Sequence, residues 1–202
     1  MKNKVSKYQS DRLFKEGFDK AFNYKACDWK EVYSLWQIAA ENDHVRAQFY
    51  LGTCYDNGLG IKKDLNKAFF WFKKAAIAGH RDAQYNVGVF YSNNELNIKD
   101  DKAKVKWFSK AAKAGLIIAQ SDLGYSYFYG EGIPKDLEKA IFWYKKASKN
   151  NDANANFNLG MCYKNGDGVK QSIRWAKYYL NKAKELGHDR AVKILSALNR
   201  LK

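Results

Sequence analysis

The sequence predicts an all-α protein, a solenoid of helix pairs in 36-residue repeats, on three observations. From His44 a 36-residue unit recurs four times without insertion or deletion. Ala47, Ala83, Ala119 and Ala155 stand one period apart, as do Gly52, Gly88, Gly124 and Gly160, and Tyr55, Tyr91, Tyr127 and Tyr163. Within each unit the apolar residues return at three- and four-residue spacings, the period of an amphipathic helix. The chain has one proline and fourteen glycines, most of the latter at repeating positions, which leaves helices joined by short loops.

The elements follow in order. Asp11 to Ala26 carries a helical stripe through Leu13, Phe14, Phe18, Ala21 and Phe22, and Asp28 to Asn42 a second through Val32, Leu35, Trp36, Ala39 and Ala40. Asp28 lies one period before Asp64, so residues 1–43 form a degenerate capping repeat. The unit 44–79 sets the pattern. Helix A runs through Ala47, Tyr50, Leu51, Cys54 and Tyr55, with Gly52 marking a place where another helix packs too closely for a side chain. The glycines of Asn57-Gly58-Leu59-Gly60 end it. Asp64 caps helix B, which turns Ala68, Trp71, Phe72, Ala75 and Ala76 inward, with Trp71 filling the gap between helices. Gly79 closes the unit.

The unit 80–115 departs from the pattern: Asn94 and Leu96 replace the loop glycines, and Lys104 replaces a packing alanine. Leu resists the left-handed conformation, so this loop bends differently. Unit 116–151 is the best-formed copy, and 152–187 keeps Gly166 and Gly168 with Ser172 as its cap and Tyr179 for Trp. A fifth half-copy begins at Ala191, and 188–202 form a closing helix from Asp189 to Leu201. The expectation is one continuous solenoid domain over 1–202 with caps at both ends.

Net charge is +15, 46% of residues are apolar and 16% aromatic, and no run approaches the roughly 18 apolar residues of a membrane-spanning helix. The basic start, Met1 to Lys7, runs into Tyr8-Gln9-Ser10-Asp11 where a secretory signal would turn apolar. The expected location is cytoplasmic, or a host cell reached without a signal peptide of that kind. Cys54 and Cys162 occupy one repeat position three periods apart and Cys27 has no evident mate, so all three are expected as reduced thiols. Lys73, Lys74, Lys110, Lys113, Lys145, Lys146, Lys149, Lys182 and Lys184 gather near the ends of helices B, where they complement the helix dipole and solvate the outer face. Such charge is compatible with steering an acidic protein and gives little ground for a nucleic-acid partner.

No catalytic constellation is present. The three histidines, His44, His80 and His188, share one repeat position and so stand at least about 10 Å apart, too far for a common zinc or proton relay. Asp100 and Asp101 read as helix capping. With no nucleophile elbow, phosphate loop or dinucleotide fingerprint, the expectation is a non-enzyme without metal or cofactor.

The string Ala47-Gln48-Phe49-Tyr50-Leu51-Gly52, then Tyr55, Gly58, Gly60, Asp64, Lys67-Ala68, Trp71, Ala75-Ala76 and Gly79, resembles the SEL-like repeat (SLR), a branch of the tetratricopeptide-like superfamily. The resemblance spans 44–187 and implies antiparallel helix pairs in an α/α right-handed superhelix with helices A lining a concave surface. It also implies an adaptor or scaffold that binds a protein or peptide. The chain departs from the cysteine-rich branch, because neither Cys54 nor Cys162 has a cysteine on its paired helix B.

On that geometry the groove side of helix A selects Phe49 and Tyr85, then Ser121, Tyr125, Phe128 and Tyr129, then Phe157, Met161 and Lys164. Aromatic anchors with amides between them suit a peptide or partner helix. Phe49, Tyr85 and Phe157 equally fit packing between repeats, which makes Tyr125, Phe128, Tyr129 and Met161 the stronger candidates. A monomeric adaptor is the first reading; a cognate inhibitor such as a bacterial toxin-immunity protein is the alternative.

Overall fold

The computed structural model describes residues 4–22 and 27–200. Every regular element among them is a helix. In order they are α1 (Lys7–Phe22), α2 (Trp29–Glu41), α3 (Val45–Asn57), α4 (Leu65–Ile77), α5 (Arg81–Ser92), α6 (Asp101–Lys113), α7 (Ile117–Tyr129), α8 (Leu137–Ser148), α9 (Ala153–Asn165), α10 (Ile173–Glu185) and α11 (Asp189–Arg200). The expected end of the first helix at Ala26, and Leu201 of the last, lie outside the described residues. The helices form two compact units, Met1–Lys99 with α1–α5 and Asp100–Lys202 with α6–α11. In each, every helix packs on the next.

The helix starts follow from side-chain chemistry. Asp28, Asp64, Asp100, Asp136 and Ser172 accept backbone N–H bonds at the first turn of α2, α4, α6, α8 and α10. These bonds satisfy donors that a helix cannot pair internally. The A helices use a less common cap. Nδ1 of His44 accepts from the Ala47 amide at 3.0 Å and Nδ1 of His80 from Ala83 at 3.3 Å, while Asp152 serves α9. Each imidazole also stacks on an aromatic ring of the preceding pair, His44 on Phe14 and His80 on Phe49. His188 stacks likewise on Phe157. The histidine position thus joins one repeat to the next.

Two packing expectations need correction. Phe72, rather than Trp71, fills the space between α3 and α4: Phe72 is buried, and Trp71 lies half-buried with Lys74 Nζ 5.4 Å from its ring. The helical glycines admit a side chain rather than a bare helix. A Cβ on Gly52 would come within 2.7 Å of the Phe72 ring, and one on Gly124 within 2.7 Å of the Tyr144 ring and 3.3 Å of the Ala140 carbonyl.

The second copy diverges as its sequence implies. Gly58, Gly130 and Gly166 close α3, α7 and α9 in the left-handed conformation, but α5 ends on Asn93 in an extended one. The positive φ in that loop falls on Asn97, at 54°, not on Asn94. Lys104 is buried and held by Asp101 at 3.1 Å and Glu131 at 3.0 Å. The two carboxylates balance a charge that would otherwise be costly to bury.

Candidate functional site

The second unit carries a groove along helices A. Its deeper part is a cleft of about 300 Å³ lined by Tyr125, Phe128 and Tyr129 of α7, Phe157, Asn158, Met161, Cys162 and Asn165 of α9, Tyr144 of α8, Asp167 and Arg190. An adjoining hollow of about 220 Å³ shares Tyr125, Phe157, Asn158 and Arg190 and adds Ser121, Asp122, Asn154 and His188. Tyr125 and Phe128 stand three apart and Tyr125 and Tyr129 four apart, so one helical face presents all three rings. Tyr125 and Tyr129 lie 4.4 Å apart by ring centroids, and Phe128 and Tyr129 4.9 Å.

The floor depends on a glycine. Gly124 lets the Tyr144 ring pass beneath α7, so a side chain of helix B reaches a cleft otherwise formed by helices A. Tyr144 is 1% exposed. Burial pushes its phenol well above the usual range, so it is a neutral donor. Burial likewise pushes the Cys162 thiol up to about 12, which makes it an apolar wall rather than a nucleophile. Tyr125 is raised by burial and then by the Glu131 carboxylate.

Charge sits at the rim. The Arg190 guanidinium lies 5.1 Å from the Phe157 ring centroid, and Lys135 Nζ lies 5.7 Å from Phe128. His188 covers Phe157 in a stack of 4.2 Å. Asn165 donates to Asp167 at 3.1 Å on the rim. Arg190 repeats a device from the first unit, where Arg46 lies 4.7 Å from Phe14 two residues after the stacked His44.

The structure brings together Tyr125, Phe128, Tyr129, Phe157 and Met161 in the cleft, and Ser121 in the hollow beside it, where it is buried. Lys164 is half-buried outside both, its carbonyl accepting from Gln171. Phe49 and Tyr85 belong to the first unit. The Phe49 ring is taken up in packing, with His80 stacked on it at 4.4 Å and Phe72 at 5.7 Å, and Tyr85 is half-buried. Sequence reading missed Tyr144, Asn158 and Arg190. A signal for Tyr144 was present: it is the one hydroxyl among Phe72, Phe108, Tyr144 and Leu180, which share a repeat position.

The family model of the Sel1 repeat matches residues 45–80, 81–116, 117–152 and 153–188. Among solved structures, c5321, a protective antigen of uropathogenic Escherichia coli with an SLR fold, superposes with TM-score 0.88 at 29% identity, over 94% of this chain and 41% of that one. A Sel1 repeat protein from Oxalobacter formigenes gives 0.84 at 27% identity, over 94% of this chain and 76% of its own. Immunity protein Pa5087 of Pseudomonas aeruginosa shares the fold at TM-score 0.55 and 24% identity, over 91% and 68%. The rat protein DAP3-binding cell death enhancer 1 is 38% identical over 50 residues, 25% of this chain and 10% of that protein. The chain therefore spans less than half the length of the E. coli antigen and a small part of the rat protein.

Proposed function

The chain belongs to the Sel1 repeat family, whose members generally mediate protein–protein interaction and are typically non-enzymatic, and on that premise we propose an adaptor that holds a partner polypeptide in the α7–α9–α11 groove. The observation that carries this reading is the convergence of Tyr125, Phe128, Tyr129, Phe157 and Met161 on one cleft. Its size suits one large apolar side chain. The Tyr144 hydroxyl and the Asn158 and Asn165 amides offer hydrogen bonds to the backbone around that anchor, and Arg190 and Lys135 at the rim favour a carboxylate beside it. The partner is thus an acidic segment with an aliphatic or aromatic anchor. The role is binding, without catalysis or cofactor.

Affinity purification from the native cell with the wild type and with Tyr125→Ala/Phe128→Ala tests it. Partners that disappear with the double variant, while its helical spectrum is unchanged, support the groove. An unchanged set of partners overturns it. A single stoichiometric enzyme that is inhibited on binding would replace the adaptor with a cognate inhibitor.

A further inference from the structure

The second unit exposes aromatic rings on its B helices, apart from the groove. Phe142 of α8 is 58% exposed, and Tyr178 and Trp175 of α10 are 50% and 48% exposed. These rings are not loose. Each outer ring stands edge-on against an inner neighbour that is itself packed: Phe142 against Trp143 at 5.2 Å and 82°, and Tyr178 against Tyr179 at 5.1 Å and 80°. Trp143 is buried, and Tyr179 packs on the core cluster that α8 and α9 share, which includes Ile141, Tyr144 and Leu159. Trp175 adds a third edge contact to Tyr178, at 5.4 Å and 87°. Held rings that project into water lose little conformational freedom on meeting a partner.

Cations flank them. On α8, Phe142, Lys145 and Lys146, with Lys149 at its C-cap, follow the three-, four- and seven-residue spacing of one helix face, and all are exposed. On α10, Trp175, Tyr178 and Lys182 follow the same spacing, with Arg174 beside them. The acidic residues within the two helices are only Glu138 and Glu185, and Asp136 ahead of α8 is engaged by Lys139 at 2.7 Å. Plain solvation of an outer helix face accounts for the lysines but not for Phe142, Trp175 and Tyr178.

We infer that this face docks on a bilayer surface bearing anionic phospholipid. Three features select that occupant. Phe142 and Tyr178 project, and Trp175 edges an open hollow with Tyr163 and Val169, a relief that suits a soft interface yielding around the rings. Trp and Tyr combine an apolar body with a polar tip, the character favoured at headgroup depth. Lysine stems can lie along apolar material while their amines reach lipid phosphates, and the excess of positive charge supplies the attraction. Single-stranded nucleic acid fits less well, because base stacking needs open ring faces in a row, whereas Phe142 and Tyr178 stand edge-on to Trp143 and Tyr179 and Trp175 already leans on Tyr163 and Tyr179. The inference is independent of the groove and leaves it open to a protein partner.

The test uses vesicles of phosphatidylcholine alone and with about a third phosphatidylglycerol, at low and high salt, read by cosedimentation and tryptophan fluorescence. The protein is expected to bind the anionic vesicles with a blue shift, to release in high salt, and to ignore the neutral ones. Phe142→Ala/Trp175→Ala/Tyr178→Ala and Lys145→Glu/Lys146→Glu/Lys149→Glu should each weaken binding by about tenfold or more, while Tyr125→Ala/Phe128→Ala leaves it unchanged. If the aromatic variant loses helicity, Phe142→Ser carries the same comparison at one exposed position. The inference fails if the wild type does not bind anionic vesicles, or if binding needs the lysines but not the rings. It also fails if polyuridylate binds through these residues and vesicles do not.

Discussion

Ser148 donates a 2.8 Å hydrogen bond to Asn156 Oδ1, at a place where the other copies pair an alanine with a glutamine. There, Gln48, Gln84 and Gln120 reach back to the carbonyls of Ala40, Ala76 and Ala112 and satisfy the end of the preceding helix B. Asn156 is one methylene shorter and bonds instead to the Asp152 carbonyl, at 2.7 Å, and the Ser148 hydroxyl occupies its oxygen. Both residues are buried, so Ser148→Ala should cost about 1–3 kcal/mol by leaving that oxygen unpaired. Ser148→Ala/Asn156→Gln, which rebuilds the pattern of the other copies, should recover most of the loss in a urea titration. Equal stability of the single and double variants would deny the coupling.

Gly124→Val should cost about 2–4 kcal/mol, because the new side chain meets the Tyr144 ring and the Ala140 carbonyl. Tyr144→Phe keeps the ring and should leave the melting temperature within a degree or two while removing the hydroxyl from the cleft floor. Partner affinity should fall in the second variant without loss of fold. An unchanged melting temperature for Gly124→Val would show that α7 and α8 can separate at little cost.

Acid should weaken the first unit through its histidine caps. Burial holds the His44 imidazole below its ordinary value against the opposing pull of Asp11, and burial does the same for His80 against Asp82, with Arg46 adding to both and Arg81 to His80. A folded value below the unfolded one means that the native state binds fewer protons. The caps therefore contribute fully above the unfolded value, about 6.5, and lose their contribution as pH falls through it and then through the folded value. Protonation at Nδ1 removes the acceptor for the Ala47 and Ala83 amides, a loss of about 0.5–2 kcal/mol per cap. His44→Asn/His80→Asn retains a capping side chain that does not titrate. Its denaturation midpoint should fall less than that of the wild type between neutrality and about pH 5; parallel curves would count against the mechanism.

At the groove, Tyr125→Ala/Phe128→Ala should weaken partner binding by about 2–4 kcal/mol, mostly through faster dissociation. Reversing Lys145, Lys146 and Lys149 to Glu should act on the association rate and its salt dependence instead. Stopped-flow association and dissociation rates separate the two. Affinity indifferent to the aromatics but abolished by the lysine changes would move the protein interface to the B helices.

The helical period, the repeat register and most of the helix ends were legible in the residues alone. Those features rest on contacts within a few residues: Asp64 reaches the Lys67 amide, and Gly58 takes a conformation that its lack of a Cβ makes cheap. Asn97 rather than Asn94 took the positive φ where the pattern broke, because no glycine there fixed the loop. Which helix A aromatics line a cleft depends on packing between helices. Phe49 and Phe157 share a repeat position and are each covered by a histidine one repeat on, yet Phe157 also walls a cleft, because Tyr144 and Arg190 arrive beside it from other helices. Spacing along one helix sets which face a residue points to. What stands opposite that face is fixed by helices distant in the chain, and no local period encodes it.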